Sequence, residues 1–591
     1  MLKLDIGRML FPALRAAPVA ALCACAAGPR TDPHPPSPSS STPSADAPAA
    51  RVEASGTLVL VGTTDTHGWL LPYDYYTGRE TENGLSRLAP QIDSIRDANP
   101  GRTALFDSGD LLQGTPLDFV YSRSAPGEVH PVALAMNLMR YDAAAIGNHE
   151  FNYGIDHLNE VAGQMRFPLM SANVFRAGTN EHAYEPYTLI ERNVGGRPVR
   201  IGITAVTPPG VAIWDRDRVA GRLDFRDIVA SVRPVIAEMR SRGADVIVVT
   251  AHSGLEGSSY DTAATHVPVE NAAADMARQV PGIDVIFLGH THRELADTTI
   301  GTTLLTQAKN WGTSIAVADV GVEMRGGRWR VTEKHGKILR PRPGADSPEL
   351  RAALAEAHRR TQGYVGRRIG TSTAEWTSTD ARVRDTPILD LINDVQRRVT
   401  GADLSAAAAF SLTSHIPRGP VTVADVAGIY IYDNTLKSIR ISGAQLRAFL
   451  EKSAEYYLPC PGGSCPRVTS TTVPGYNFDV VSGVDYTIDL TKPVGQRITR
   501  LERNGRPVAP ADSFTMAVNN YRASGSGGYS MLIGALVVYD RGESIRDLMI
   551  ADIQRRGTLS SGDVFRKNWE IVPAALAERA LAEQNAEAQN K

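Results

Sequence analysis

The chain has 591 residues, too many for one hydrophobic core, so two large domains with accessory segments are expected. Its 62 basic and 64 acidic residues leave a formal net charge of -2, which excludes a polybasic surface for gripping long nucleic acid. No apolar run past the N-terminus is long enough to span a bilayer.

The first 25 residues read as an export signal. Lys3, Arg8 and Arg15 are basic, residues 16–22 are a short apolar stretch, and small residues follow, with Met9 an alternative start. Leu22-Cys23-Ala24-Cys25 resembles a bacterial lipoprotein box with Cys25 as the lipidated residue. Ordinary cleavage near Ala26 is the alternative. The expectation is export to the periplasm, with attachment to the outer membrane if Cys25 is lipidated. Residues 26–55 are rich in Pro, Ser, Ala and Thr and predict a flexible tether.

From 56 to 345, strand-like and helix-like segments alternate, which predicts an α/β domain. Leu58-Val59-Leu60-Val61 and Val246-Ile247-Val248-Val249 exemplify its apolar, β-branched strands. A Pro-rich stretch at 341–343 interrupts the pattern. Ser347-Pro348-Glu349 then looks like a helix start, with Ser at the N-cap and Pro at the first helical position. That helix is predicted to reach Gln362 and to end at Gly363, forming a connector over 346–366. A second domain is expected over 367–572, with a helix at 387–399 and strands around Leu436-Lys437-Ser438-Ile439 and 484–488. Within it, Cys460 and Cys465 are spaced for a small disulfide in an oxidising compartment, or form a pair of free thiols. Residues 573–591 are Ala/Glu-rich and read as a frayed helix or tail.

One pattern recurs five times in the first domain: an apolar strand ends, and metal-ligand side chains follow. Residues 58–61 lead to Asp65 and His67, 103–106 to Asp110, 143–146 to Asn148, 246–250 to His252, and 284–288 to His290 and His292. Carboxyl ends of strands are where α/β folds build sites. Singly, each piece is weak, since a strand-end Asp or His is more often structural. Together they predict seven nitrogen and oxygen ligands at one edge, a set that suits two divalent ions sharing a bridging carboxylate. Gly109, Gly147 and Gly289 are expected to let the backbone turn so that the next side chain faces inward.

These motifs resemble the calcineurin-like metallophosphoesterases, and the whole folded chain resembles the 5'-nucleotidase family within them. Asn148-His149-Glu150-Phe151-Asn152-Tyr153-Gly154, Tyr73-Asp74-Tyr75-Tyr76, Tyr432-Asp433-Asn434-Thr435-Leu436 and Asn519-Asn520-Tyr521-Arg522-Ala523 are most similar to the bacterial periplasmic 2',3'-cyclic-nucleotide 2'-phosphodiesterase/3'-nucleotidase branch. The resemblance implies an α/β sandwich followed by a connector helix and an α/β substrate-binding domain. It implies that Asp65, His67, Asp110 and His292 hold one ion, and Asp110, Asn148, His252 and His290 the other. Mixed His, Asp and Asn ligands suit Zn, Mn, Fe or Co. The nucleophile is expected to be a metal-bound water.

His149 matches a catalytic position that stabilises the transition state or protonates the leaving group; orienting Asn148 is the simpler alternative. Relatives in the 5'-nucleotidase branch carry Asp three residues after this His, and here Asn152 stands there. An amide orients an imidazole without giving it a charge partner, so His149 is expected to titrate lower than it would with Asp at 152. Tyr432 and Tyr521 match the family's base-stacking positions, against the alternative that both simply pack on the domain surface.

The Gly-Gly-Gly-Ile-Arg-like segment of 5'-nucleotidases is replaced by Ala408-Ala409-Phe410-Ser411-Leu412-Thr413. That favours the 3'-nucleotidase branch and leaves Arg384 and Arg418 only as candidates for contacting substrate, surface salt bridges being the default. The reading is an exported hydrolase of nucleotide phosphoesters acting on 2',3'-cyclic nucleotides and 3'-nucleotides, with nucleotides as partners and a monomer expected. The rivals are a 5'-nucleotidase or nucleotide-sugar diphosphatase on the same scaffold, and a non-catalytic, lipid-anchored nucleotide-binding protein.

Overall fold

The structure is a computed structural model that describes residues 51–123 and 127–589. The export signal, Cys25 and residues 26–50 of the expected tether lie outside the described residues.

Alternation on the first strand, Val52–Thr63, decides the layering. Leu58 and Leu60 enter one core while Val59 and Val61 enter another, so the strand is covered on both faces. It lies within a six-stranded sheet ordered Arg328–Leu339, Ile315–Arg325, Val52–Thr63, Thr103–Asp107, Ala143–Ala145 and Leu169–Met170. A second six-stranded sheet is ordered Leu295–Ile300, Thr303–Gln307, Val285–Leu288, Val246–Ala251, Arg197–Val206 and Tyr187–Val194. Their inner faces meet in a core that includes Phe106, Ile203, Val248 and Phe287.

Helices cover both outer faces. Leu85–Ala98 and Pro131–Met139 bury Leu88, Ile92, Val132 and Met136 against the first sheet's outer core. Ile228–Ser241 and Ala273–Gln279 bury Val232, Met239 and Met276 in the second's. The expected α/β sandwich is therefore present. The site-bearing strands pair in parallel within each sheet, so their carboxyl ends gather at one edge.

The connector helix runs over Pro348–Val365, and Ser347 Oγ accepts from the Leu350 N–H at 3.3 Å. Gly363 does not end it; the helix continues to the Gly366 cap. The extra turn buries Val365 beside Leu350, Leu354 and Ala357 in the first domain's core. Burying such a side chain contributes about 1.5–3 kcal/mol, more than the roughly 1 kcal/mol that an interior glycine costs.

The second domain joins a five-stranded sheet (Asp479–Ser482, Leu404–Ala408, Ser513–Asn519, Thr435–Ser442, Leu536–Ser544) to a four-stranded one (Arg506–Pro507, Ile498–Arg503, Asp485–Asp489, Trp569–Val572). The amphipathic helix Pro387–Thr400 supplies Ile388, Leu391, Ile392 and Val395 to their common core. Cys460 and Cys465 are joined as a disulfide. The C-terminal stretch is a packed helix, Ala574–Gln589, with Leu576 and Ala580 buried. Among the described residues, no helix is long and apolar enough to cross a membrane.

Candidate metal centre and active site

The seven strand-end residues converge. Asp110 Oδ2 lies 2.9 Å from His252 Nε2 and 3.8 Å from His67 Nε2. His292 Nε2 lies 3.0 Å from His67 Nε2 and 3.4 Å from Asp65 Oδ1. Asn148 Oδ1 is 3.2 Å from His252 Nε2. Asp65, His67 and His292 form one group whose ligand atoms all lie within 4.8 Å of one another; Asp110, His252 and His290 form a second. Asp110 also stands with His67 and His149 in a third such group, so its carboxylate touches both halves of the cluster.

The backbone is bent to bring them there. Asp65, His67, Asp110, His290 and His292 all have positive φ, from 48° to 68°. Non-glycine residues seldom adopt this region, and its concentration here is strain that the surrounding fold maintains. Of the three glycines, only Gly109 has a positive φ, at 95°. Gly147 and Gly289 serve a different need from the turn expected of them. A Cβ on Gly147 would sit 2.3 Å from Asp110 Oδ1, and one on Gly289 2.3 Å from Thr64 Oγ1. They are small because other groups occupy the space.

The donor set fits divalent cations. His67 Nδ1 donates to the Gln113 carbonyl at 2.6 Å, and His252 Nδ1 to that of Ser108 at 2.7 Å. In each ring this leaves the Nε2 lone pair facing the cluster. Burial lowers His67 to about 3, so its ring is neutral and able to ligate. Burial opposes ionisation of Asp65, but His292 and His252 hold it down at about 2. Asp110 is likewise held well below the usual range, against burial, by His252 and His149. Asp110 in turn holds His252 above the usual imidazole range despite burial, so its Nε2 keeps a proton against that carboxylate unless a cation takes the proton's place. The 3.0 Å between the His67 and His292 nitrogens is the spacing of neighbouring ligands on one ion at metal–nitrogen distances of about 2.0–2.1 Å.

His149 sits at the mouth, its Nε2 3.9 Å from Asp110 Oδ2. Its Nδ1 is 2.6 Å from Asn152 Oδ1, which gives the expected contact with an amide. His149 N–H donates to Asp110 Oδ1 at 2.8 Å. The second domain reaches this loop through Asp433, which accepts from Gln113 Nε2 and Tyr153 Oη at 3.1 and 2.8 Å and pairs with Arg546 at 2.8 Å. Gln113 thus bonds a cluster histidine through its carbonyl and the second domain through its amide.

Tyr432 packs edge-on against Phe410, with ring centroids 4.9 Å apart, and Tyr521 packs on the first domain's core. Burial raises both phenols, and the nearby Tyr476 hydroxyl adds to both. Arg384 is tied to Asp380 and Glu578 at 2.9 and 2.6 Å, as a surface salt bridge would be. Arg418 is exposed.

Sequence reasoning missed four residues around the cluster. Glu150 is buried and accepts from the N–H groups of Asp110, Leu111, Leu112 and Gly147 at 2.5–3.1 Å, tying the Asp110 and Asn148 loops together. Its place in the Gly-Asn-His-Glu run was a usable signal. Glu270 Oε1 is 2.6 Å from His290 Nε2, Trp214 stacks on His290 with centroids 5.6 Å apart, and Asp215 accepts from Asn152 Nδ2 at 2.9 Å. Nothing local marks these three.

Comparison with known proteins identifies both domains. Residues 58–294 match the calcineurin-like phosphoesterase model, and 368–533 match the 5'-nucleotidase C-terminal domain model. A 2',3'-cyclic-nucleotide 2'-phosphodiesterase/3'-nucleotidase from Haemophilus influenzae is 31% identical over 585 residues, covering 87% of each chain. A trifunctional nucleotide phosphoesterase from Bacillus subtilis is 31% identical over 579 residues, 88% of this chain but only 39% of that longer one. A 5'-nucleotidase precursor structure from Thermus thermophilus superposes with a TM-score of 0.62 at 24% identity, over 88% of this chain and all of its own, a likeness of fold.

Proposed function

The chain belongs to the 5'-nucleotidase family of calcineurin-like phosphoesterases, and from that membership we propose that it hydrolyses 2',3'-cyclic nucleotides and 3'-nucleotides at a two-metal centre. The observation that carries this is the position of Asp110, whose carboxylate touches both halves of a seven-residue ligand cluster. Asp65, His67, Asp110 and His292 would hold one ion, and Asp110, Asn148, His252 and His290 the second. When bound, the ions supply positive charge against the phosphoryl oxygens and lower the pKa of water towards neutrality.

Only two of the ligands, Asp65 and Asp110, are carboxylates, so the loaded centre keeps net positive charge and favours a phosphate dianion. Stabilising the transition state or protonating the departing oxygen falls to His149, at the cluster's mouth. Base recognition falls to Tyr432 and Tyr521 on the second domain, which the buried Asp433–Arg546 pair anchors beside the Gln113 loop. The division into domains at 56–345 and 367–572, joined by the 346–366 connector, is part of this reading, as is export through the N-terminal signal.

The test is the purified protein assayed on 3'-AMP, 2',3'-cyclic AMP, 5'-AMP and a nucleotide sugar, before and after chelation with metal add-back. Preference for the first two substrates, lost on chelation and recovered with metal, is expected. Preference for 5'-AMP would overturn the substrate assignment, and undiminished turnover after complete metal removal would overturn the chemistry.

A further inference from the structure

His149 has no carboxylate at its Nδ1, but one stands behind the amide that it meets there. Asn152 Oδ1 is 2.6 Å from His149 Nδ1, and Asn152 Nδ2 donates to Asp215 Oδ1 at 2.9 Å. Asp215 is 8% exposed and follows the short helix Val211–Trp214. That segment is held from several sides. The Trp214 ring stacks on His290, the Trp214 carbonyl accepts from Asn520 Nδ2 of the second domain at 3.2 Å, and Asp217 pairs with Lys437.

We propose that Asp215 is a positioning residue for His149. It holds the Asn152 amide with the carbonyl towards the ring, and so fixes which imidazole nitrogen carries the proton. The reason is donor–acceptor matching. An amide presents either its oxygen or its NH2 group to a neighbour, and a lone asparagine beside a histidine can do either. A carboxylate only accepts, so Asp215 takes the NH2 group and leaves Asn152 Oδ1 for the ring. An accepting oxygen requires the proton on Nδ1. Nε2, on the cluster side of the ring and 3.9 Å from Asp110, then carries the lone pair in the neutral ring and a donatable proton in the charged one. Any other arrangement leaves an acceptor facing an acceptor or a donor facing a donor in a partly buried site.

The inference rests on the phosphoesterase reading and makes its own demand: the three groups form a directional chain whose outer bond can be reversed. Asp215→Asn lets position 215 donate or accept, so Asn152 can turn over. We expect kcat on 2',3'-cyclic AMP to fall about 10- to 100-fold with KM nearly unchanged. Asn152→Asp alone sets two carboxylates face to face and is expected to be impaired as well. The double variant N152D/D215N reverses the outer bond and keeps the inner one: the amide now at position 215 donates to the carboxylate now at position 152, which accepts from His149 Nδ1. It is expected to recover kcat to within about 3-fold of the parent. Nitrogen-15 spectra of histidine-labelled protein should show His149 protonated at Nδ1 in the parent and the double variant, and a tautomer mixture in D215N.

An Asp215→Asn variant with unaltered kcat, or one that keeps the parent's tautomer, would overturn the proposal. So would a double variant no better than either single change. If Asp215→Asn does not fold, comparing N152D with N152D/D215N decides the matter alone, because absence of rescue overturns it. An inactive parent enzyme would instead overturn the phosphoesterase reading, while the tautomer measurement would still test the chain of bonds.

Discussion

Asp110 Oδ2 lies 2.9 Å from His252 Nε2, although the two residues follow strands of different sheets. The contact joins the carboxyl edges of the sandwich, and Asp110 also faces His67 on its own side. A carboxylate in that position serves both halves of the centre. Asp110→Asn is expected to keep the fold, to lower bound metal from two equivalents to one or fewer, and to cut kcat/KM by about 10³-fold or more. Elemental analysis and kinetics on one preparation check this. A variant that retained both ions and its activity would remove Asp110 from the bridging role.

Glu270 makes the outer contact for His290. Its Oε1 is 2.6 Å from His290 Nε2, which leaves Nδ1 for an ion. The Glu270 carboxylate is itself held by the Ser259 backbone and hydroxyl, both at 2.7 Å. Burial opposes its ionisation, but His290 keeps it below the usual carboxylate range. Glu270→Gln is expected to weaken binding at the second ion site by about 10- to 100-fold, with activity recovered in excess metal. Metal titration is the measurement. Unchanged affinity would make Glu270 a purely structural contact.

What the sequence disclosed and what it hid divide along a physical line. The proposed ligands were legible because each follows an apolar strand, and strand polarity in a parallel sheet sends every carboxyl end to one edge. Asp65, His67, Asp110, Asn148, His252, His290 and His292 could be found that way. Glu270 and Asp215 could not. Each is an acidic residue outside regular structure, and its partner is set by the approach of another loop. Gly147 and Gly289 were legible as important but not for the right reason, since the chain alone shows no neighbouring Asp110 or Thr64 to be avoided. Gly363 read as a helix end because glycine commonly follows a helix, and nothing local showed that Val365, two residues on, is buried.

Tyr432 packs at right angles to Phe410, a contact that stiffens a ring able to offer a face to a nucleobase. Stacking on one base is worth roughly 1–3 kcal/mol. Tyr432→Ala is therefore expected to lower kcat/KM for 3'-AMP by about 5- to 150-fold and to raise the inhibition constant of adenosine in proportion. Inhibition by inorganic phosphate, which has no base, should stay as in the parent. Equal loss of adenosine and phosphate binding would mean that the substitution had disturbed the metal centre instead.

Asp390 offers a test of the second domain's stability that is independent of the site. It lies in the first turn of the helix Pro387–Thr400, is 5% exposed, and accepts from the Arg566 N–H at 2.8 Å. Burial, and then the neighbouring Asp385 carboxylate, push it up to about 7. An unfolded aspartate titrates near 3.9, so the folded chain binds this proton more tightly than the unfolded one does. The sign follows from linkage: the group's contribution is complete below about pH 4 and is lost as pH rises through about 7. Asp390→Asn keeps an acceptor for Arg566 and removes the buried charge. At pH 8 the variant is expected to be more stable than the parent by on the order of 2–4 kcal/mol, and the gap should close towards pH 4. Urea midpoints measured across that range decide it. A variant less stable than its parent at pH 8 would show that the ionised carboxylate is compensated in the fold.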